Sequence, residues 1–173
     1  MTVHQVIIIL VYSVMFLLSL GGNMMIIRIV ASRPYMRSIT NRLIANMAIA
    51  DLIVTFTAMP YTVYITVRSG WFGGILGMTT CKLLQFSGAL SVAASILTLV
   101  VIAFHRFVAI VFPFKRLRIM PNISKTSFII WVLSLMVMSP YLYFFKSVHQ
   151  PNGNFYCFIV WEPFADTIKA TRS

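Results

Sequence analysis

Asp51 offers the most unusual chemistry in this chain. It lies in LIANMAIADLIVTFTAMPYTVYITV, a run with no other charge, about nine residues past Arg42 and so roughly 13 Å into a helix. A carboxylate at that depth of a bilayer costs at least about 2.5 kcal/mol even on insertion scales, so it should face a bundle interior where water, a cation or hydrogen-bond donors reach it. Donors are at hand. Between Cys81 and Arg106 an almost uncharged stretch, broken only by Lys82, carries Ser87, Ser91, Ser95 and Thr98 three or four residues apart, which puts their hydroxyls on one face of a helix. The competing reading of Asp51 is a protonated or hydrogen-bonded carboxyl that serves structure alone. Enzyme chemistry is not expected, because no His, Cys or carboxylate cluster at ligand or triad spacing occurs in the apolar runs and the histidines are scattered.

Composition says which elements must hold these residues. The chain has 173 residues, of which 60% are hydrophobic and only 10% charged, too few charges to coat a soluble globule. The net charge of +11 comes from 14 Lys and Arg against 3 acids. In a soluble protein that excess would suggest nucleic acid, but its placement argues for membrane lipids as the surroundings and no nucleic-acid partner. Arg28, Arg33, Arg37 and Arg42 flank the first gap between apolar runs, and Arg106, Lys115, Arg116, Arg118 and Lys125 surround the third. Positive charge marks cytoplasmic loops, so the N-terminus is placed outside, followed by four spans, in a multi-pass plasma-membrane protein.

The expected fold is all-α, with helices over about 3–30, 41–67, 78–112 and 124–145 and an outer loop over about 146–173. The first run, Val6 to Ile27, has no basic leader and exceeds a secretory signal in length, so it reads as a retained span. Pro60 and Pro140 should kink the outer parts of the second and fourth helices. A Pro151-Asn152-Gly153 turn signal between alternating residues suggests an outer β-hairpin. Asn23, after Gly21 and Gly22, reads as a small-residue notch for helix contact, as an amide tied to the next helix, or as both. Trp71, in a short Gly-rich loop, packs that loop or sits at the interface. Cys81 and Cys157 share the outer side, where oxidising conditions favour a disulfide; two free buried cysteines are the alternative. The sequon Asn122-Ile123-Ser124 falls on the inner side, so no glycan is expected there.

Gly22-Asn23, the run NRLIANMAIADL with Asn46 and Asp51, Cys81, Ser95, the segment AFHRFVAIVFP with Arg106 and Pro113, Trp131, Pro140 and Cys157 follow one another over nearly the whole chain. In that order and spacing they resemble the first four transmembrane helices and second outer loop of a rhodopsin-family (class A) G-protein-coupled receptor. The resemblance implies roles position by position. Asp51 and Ser95 match half of an internal sodium site, with Asn23 as the polar partner of the aspartate; no cofactor is implied beyond that ion. Asn46, Thr98 and Trp131 match a packing cluster between helices two, three and four. Arg106, between His105 and Phe107, matches the arginine that engages heterotrimeric G protein. Cys81 and Cys157 match the family's disulfide between helix three and the loop. Gln85, Gly88 and Trp71 fall at the ligand pocket.

The same resemblance narrows the ligand. Amine receptors of the family carry an aspartate where this chain has Gly88, whereas Pro60, Trp71-Phe72-Gly73, the Cys-Lys-Leu start of helix three and the segment around Tyr156-Cys157 look like peptide receptors, of neuropeptide type. One departure concerns the arginine. The acid that usually precedes it is His105 and the usual tyrosine after it is Phe107. A neutral imidazole cannot form the restraining salt bridge and a protonated one repels Arg106, so raised basal signalling is expected in a complete receptor. The larger departure is that helices five to seven are absent. The chain alone is not expected to signal. It reads as part of a longer receptor, or as a truncated product that dimerises with full-length receptors and silences them. A four-helix channel or transporter subunit using Asp51 as an ion relay is the alternative from another class.

Overall fold

The structure, a computed structural model, describes residues 2–68, 70–112, 122–149 and 155–159. Helix α1 spans Val3–Ser32 and opens on a reciprocal cap, in which the Thr2 hydroxyl accepts the Gln5 backbone N–H while the Gln5 side chain accepts the Thr2 N–H. That satisfies donors the first helical turn cannot bond. A 3₁₀ turn, Pro34–Met36, leads into α2 (Ile39–Arg68), which is followed by α3 (Gly74–Val111), α4 (Ile123–Met138), a single turn α5 (Tyr141–Phe144) and the strands β1 (Phe145–His149) and β2 (Phe155–Ile159). Four stretches, α1, α2, α3 and α4 with α5, are long and apolar enough to cross a membrane. The strands pair antiparallel with Ser147 opposite Cys157. The Pro151-Asn152-Gly153 turn lies outside the described residues, as does Pro113.

Two element boundaries differ from the sequence expectation for identifiable reasons. Helix α3 begins at Gly74, inside the glycine-rich loop, because two glycines permit a tight entry. Gly74 adopts φ +77°, a left-handed conformation that other residues resist. A Cβ on Gly77 would overlap the Phe72 carbonyl, which packs where that atom would be. Helix α4 does not run through to 145 but breaks at Ser139-Pro140. Proline has no N–H to return to the Met136 carbonyl. The Ser139 hydroxyl donates to that carbonyl instead, at 2.8 Å. Pro60, by contrast, sits within an unbroken α2.

Helix α3 is the central post. It packs against α2, α4, α5 and both strands, whereas α1 packs chiefly on α2. The core is made of Leu43, Ala50, Ala94 and Ile130, flanked by Ile39, Leu97, Val101, Ile102 and Trp131. Its other fully buried members are small or hydroxylated: Thr55, Ser91, Thr98 and Ser134. Between helices in lipid, small residues let backbones approach and hydroxyls find partners across the gap. The stripe on α3 does this. Ser91 donates to the Ala50 carbonyl of α2, and Thr98 accepts the Asn46 amide at 3.1 Å while donating to its own Ala94 carbonyl. The other end of the Asn46 amide, its Oδ1, accepts the Trp131 indole N–H at 2.9 Å. One side chain thereby ties α2, α3 and α4. Ser87 turns back onto its own helix at the Leu84 carbonyl.

The Gly21-Gly22 notch makes no helix contact among the described residues. No atom lies within 4 Å of where either Cβ would be, and α1 has no buried residue at all. Leu10, Val14, Leu17, Leu18 and Met25 are exposed on it, a surface suited to hydrocarbon rather than water.

These contacts set two expectations for the purified chain in detergent. Asn46→Ala strands the Trp131 indole and should cost about 1–3 kcal/mol of stability; in a double-mutant cycle with Trp131→Phe the coupling should be roughly 0.6 kcal/mol, and simple additivity would show the bond contributes nothing. Gly77→Ala must displace backbone at Phe72 and should lower the melting temperature by several degrees, while Gly22→Ala, which meets open space, should not lower it.

Candidate functional site

Asp51 stands one helical step beyond the core, on the face of α2 turned to α3. It is half-buried, and its Oδ1 accepts the Ser95 hydroxyl at 3.3 Å. Its neighbours extend the polar path toward α1. The Thr55 hydroxyl, fully buried and one turn along α2, donates to the Asp51 backbone carbonyl at 2.8 Å. Ser19 of α1 meets Thr55 at 2.6 Å. Since the Thr55 proton is committed to Asp51, Ser19 must be the donor in that pair. Asn23 then donates to the Ser19 hydroxyl at 3.2 Å and to the Ser19 carbonyl at 2.9 Å. The chain of donors runs Asn23 to Ser19 to Thr55 to the Asp51 backbone. Asn23 thus reaches Asp51 only through two hydroxyls, because its amide is held on its own helix.

Thr55 and Ser19 were not anticipated from the sequence. Thr55 carried a usable signal, standing four residues past Asp51 and hence on its face of the helix. Ser19 carried none, because a lone serine in an apolar run has no periodic partner. Among the described residues Asp51 is the sole acid, and no group of three metal-ligating His, Cys, Asp or Glu side chains occurs.

At the Cys81 end of the bundle a cover is built from the loop before α3 and the strand pair. Cys81, fully buried, is disulfide-bonded to Cys157 with the Cα atoms 5.7 Å apart, so the free-cysteine alternative is set aside. Beside this bridge the Trp71 backbone N–H donates to the Phe155 carbonyl at 2.6 Å, adding one residue to the edge of β2. The Phe155 ring occupies the space a Gly73 side chain would need. Trp71 is a packing residue. Its indole N–H bonds the Gly77 carbonyl and the Thr80 hydroxyl, and its ring stacks on Phe72 at 4.2 Å and meets Tyr61 and Tyr64 edge-on.

Tyr64 also lines a cleft of about 590 Å³ between α1 and α2, walled by Tyr12, Phe16, Met59, Pro60 and Arg68. Of the three pocket residues expected from the sequence, Trp71 adjoins this cleft through Tyr64. Gln85 and Gly88 do not line it: Gln85 faces the Tyr61 hydroxyl, and Gly88 has open space beside it. At the opposite end of α3, Arg106 and Phe107 are exposed while His105 is buried at 7% exposure. The imidazole and the guanidinium therefore occupy different faces of the helix.

Comparison with known proteins agrees with this arrangement. The profile described as 7 transmembrane receptor (rhodopsin family) matches residues 22–172. The chain is 36% identical over 132 residues to human Neuropeptide FF receptor 1, covering 76% of this chain and 30% of that protein. It is 34% identical over 160 residues to the Cholecystokinin receptor of Xenopus laevis, covering 88% and 34%. With the RYamide receptor of Tribolium castaneum it shares 35% over 147 residues, covering 82% and 38%. The chain spans about a third of the length of these relatives. Four apolar helices, a central α3 disulfide-bonded to the following hairpin, and a match over most of its length establish that this chain belongs to the rhodopsin family of seven-transmembrane receptors.

Proposed function

We propose that these four helices and their hairpin form part of a plasma-membrane receptor for an extracellular peptide of neuropeptide type, coupled to heterotrimeric G protein, with the Cys81 end outside. The observation that carries this reading is the likeness over most of the chain to receptors named for neuropeptide FF, cholecystokinin and RYamide. The chemistry supports it. An amine ligand needs a carboxylate for its ammonium, and the acid-free surroundings of Gly88 among the described residues supply none. A peptide instead needs apolar and aromatic area with scattered polar contacts, such as the covered end around Trp71, Tyr61, Tyr64 and Gln85 provides. Family membership removes the channel or transporter alternative.

In this reading Asp51 is the internal switch. Its carboxylate and the Ser95 hydroxyl are hard oxygen donors suited to a small hard cation such as sodium. They supply two side chains of a larger coordination shell, the remainder falling to helices beyond the matched third. Asn23, Ser19 and Thr55 hold the α1–α2 side of that shell in register. At the other end Arg106 is the exposed cation offered to the G protein. His105, buried beside it in sequence, supplies no carboxylate to restrain it, and the positive charges of the first and third gaps support a cytoplasmic position for this end.

The test is expression of the complete reading frame in cells, with G-protein activation read against a panel of neuropeptides and biogenic amines. Activation by a peptide supports the proposal; response to an amine alone overturns it. In the same assay His105→Asp should lower ligand-independent signalling severalfold by restoring a carboxylate next to Arg106, and an unchanged basal level would remove the restraint argument.

A further inference from the structure

Helices α1 and α2 are tied together on either side of a gap. Toward the Cys81 end the Gln5 side chain donates to the Thr66 carbonyl at 2.9 Å. Deeper in, the Phe16 ring meets Phe56 edge-on at 5.9 Å and Ser19 bonds Thr55 at 2.6 Å. Between these ties lies the cleft of about 590 Å³, and its walls are aliphatic and aromatic apart from Ser13 and Arg68. The Ser13 hydroxyl is spent on the Ile9 carbonyl of its own helix, at 2.7 Å. Arg68 is the last residue of α2, exposed, and the single charge in the lining. Its guanidinium has no hydrogen bond or ion pair among the described residues. The sole acid among them, Asp51, lies seventeen residues earlier on the same helix, roughly 25 Å away along the axis.

The cleft is continuous with the surface that faces hydrocarbon. Leu17 in its wall is 66% exposed and Phe56 at its lower tie is 58% exposed, with Val14 and Leu18 exposed beside them, so an apolar molecule can enter sideways from lipid. From Arg68 down to the Met59 wall is nine residues, roughly 13 Å. This layout accepts an apolar chain and holds one negative charge at its end. A guanidinium fork matches the two oxygens of a carboxylate, and the lining has no second cation for a second charge. We propose that the cleft between α1 and α2 binds a long-chain fatty acid taken up from the membrane, its carboxylate on Arg68 and its hydrocarbon chain between Tyr12, Phe16, Val63 and Tyr64. An arginine at a helix end also snorkels to headgroups; the difference is that this one closes a cleft long enough for a chain. The proposal does not rest on the peptide reading, because its occupant arrives through hydrocarbon rather than from water.

The test is equilibrium binding of radiolabelled oleate to the purified 173-residue chain in detergent, with oleyl alcohol and acetate as competitors. Oleyl alcohol shares the chain but lacks the charge, and acetate shares the head but lacks the chain. Oleyl alcohol should compete about tenfold less well than unlabelled oleate, the scale of one charge-assisted contact, and acetate should not compete. Arg68→Gln should weaken oleate binding about tenfold and leave oleyl alcohol unaffected, whereas Val63→Trp, which fills the cleft, should weaken both. Lys82→Gln removes a charge near the same end but outside the lining and should change nothing. Because Arg68 is exposed at the end of its helix, Arg68→Gln with an unshifted melting temperature carries the conclusion if Val63→Trp unfolds. Equal oleate binding by Arg68→Gln and the parent, equal competition by oleyl alcohol, or full competition by acetate would overturn the proposal. Competition by phosphatidylglycerol as strong as by oleate would overturn it in favour of bilayer phospholipid. Loss of binding in the product of the complete reading frame would overturn it by giving the cleft to helices beyond the matched third.

Discussion

Hydrocarbon offers a hydroxyl or an amide no partner, so every polar side chain on a spanning helix must be satisfied by the protein itself. Two solutions divide the polar residues here. Thr57, Thr62 and Thr66 bond back to carbonyls one turn earlier on α2, which satisfies them without constraining any neighbour. Ser91, Ser95, Asn46, Trp131 and the Ser19–Thr55 pair instead reach across to another helix. Only this second group fixes how the helices sit against one another, because each bond is available in a single register.

The same constraint explains why the polar side chains cluster where the core is built of alanine. Ala50 and Ala94 are buried together in the cluster that joins α2 and α3, and a hydroxyl can cross from one helix to the backbone of the next only where side chains are that short. Close approach and hydrogen bonding are two aspects of one surface. Helix α1 lacks both features over most of its length, and its hydrogen bonds to α2 are made by Ser19 near its middle and by the Gln5 side chain, which donates to the Thr66 carbonyl at 2.9 Å.

The hydroxyl stripe on α3 was legible because a helix repeats every 3.6 residues and Ser91, Ser95 and Thr98 obey that period. The need of Asp51 for donors or a cation in a bundle interior was legible; that the α3 stripe, through Ser95, meets it came from family resemblance, since periodicity does not set the register between two helices. Gly21 and Gly22 meet no neighbour among the described residues, because a pair of small residues permits contact but does not supply a partner to make it. Pro140 was visible as a breaker, yet the Ser139 hydroxyl that takes over its lost bond depends on a rotamer. Tyr61, Tyr64 and their edge-on contacts with Trp71 were hidden, since aromatic residues on an apolar helix carry no contrast. The spread of His105 and Arg106 onto different faces follows from a 100° step between neighbours, but which of the two faces the bundle does not.

The covered end has a mechanical consequence for α3. At Cys81 this helix is fastened twice, by a covalent bridge to β2 and by the Trp71 loop that leads into it and is itself stitched to Phe155. Among the described residues no covalent bridge holds the Arg106 end. A rod clamped at one end responds to a sideways push by swinging, with displacement growing in proportion to distance from the clamp. Arg106 is roughly 37 Å along the axis from Cys81, so a tilt of about five degrees carries it roughly 3 Å sideways while Cys81 stays in place. Asp51, meeting Ser95 a little past halfway, bears on the lever where a small change of contact is already magnified toward the far tip.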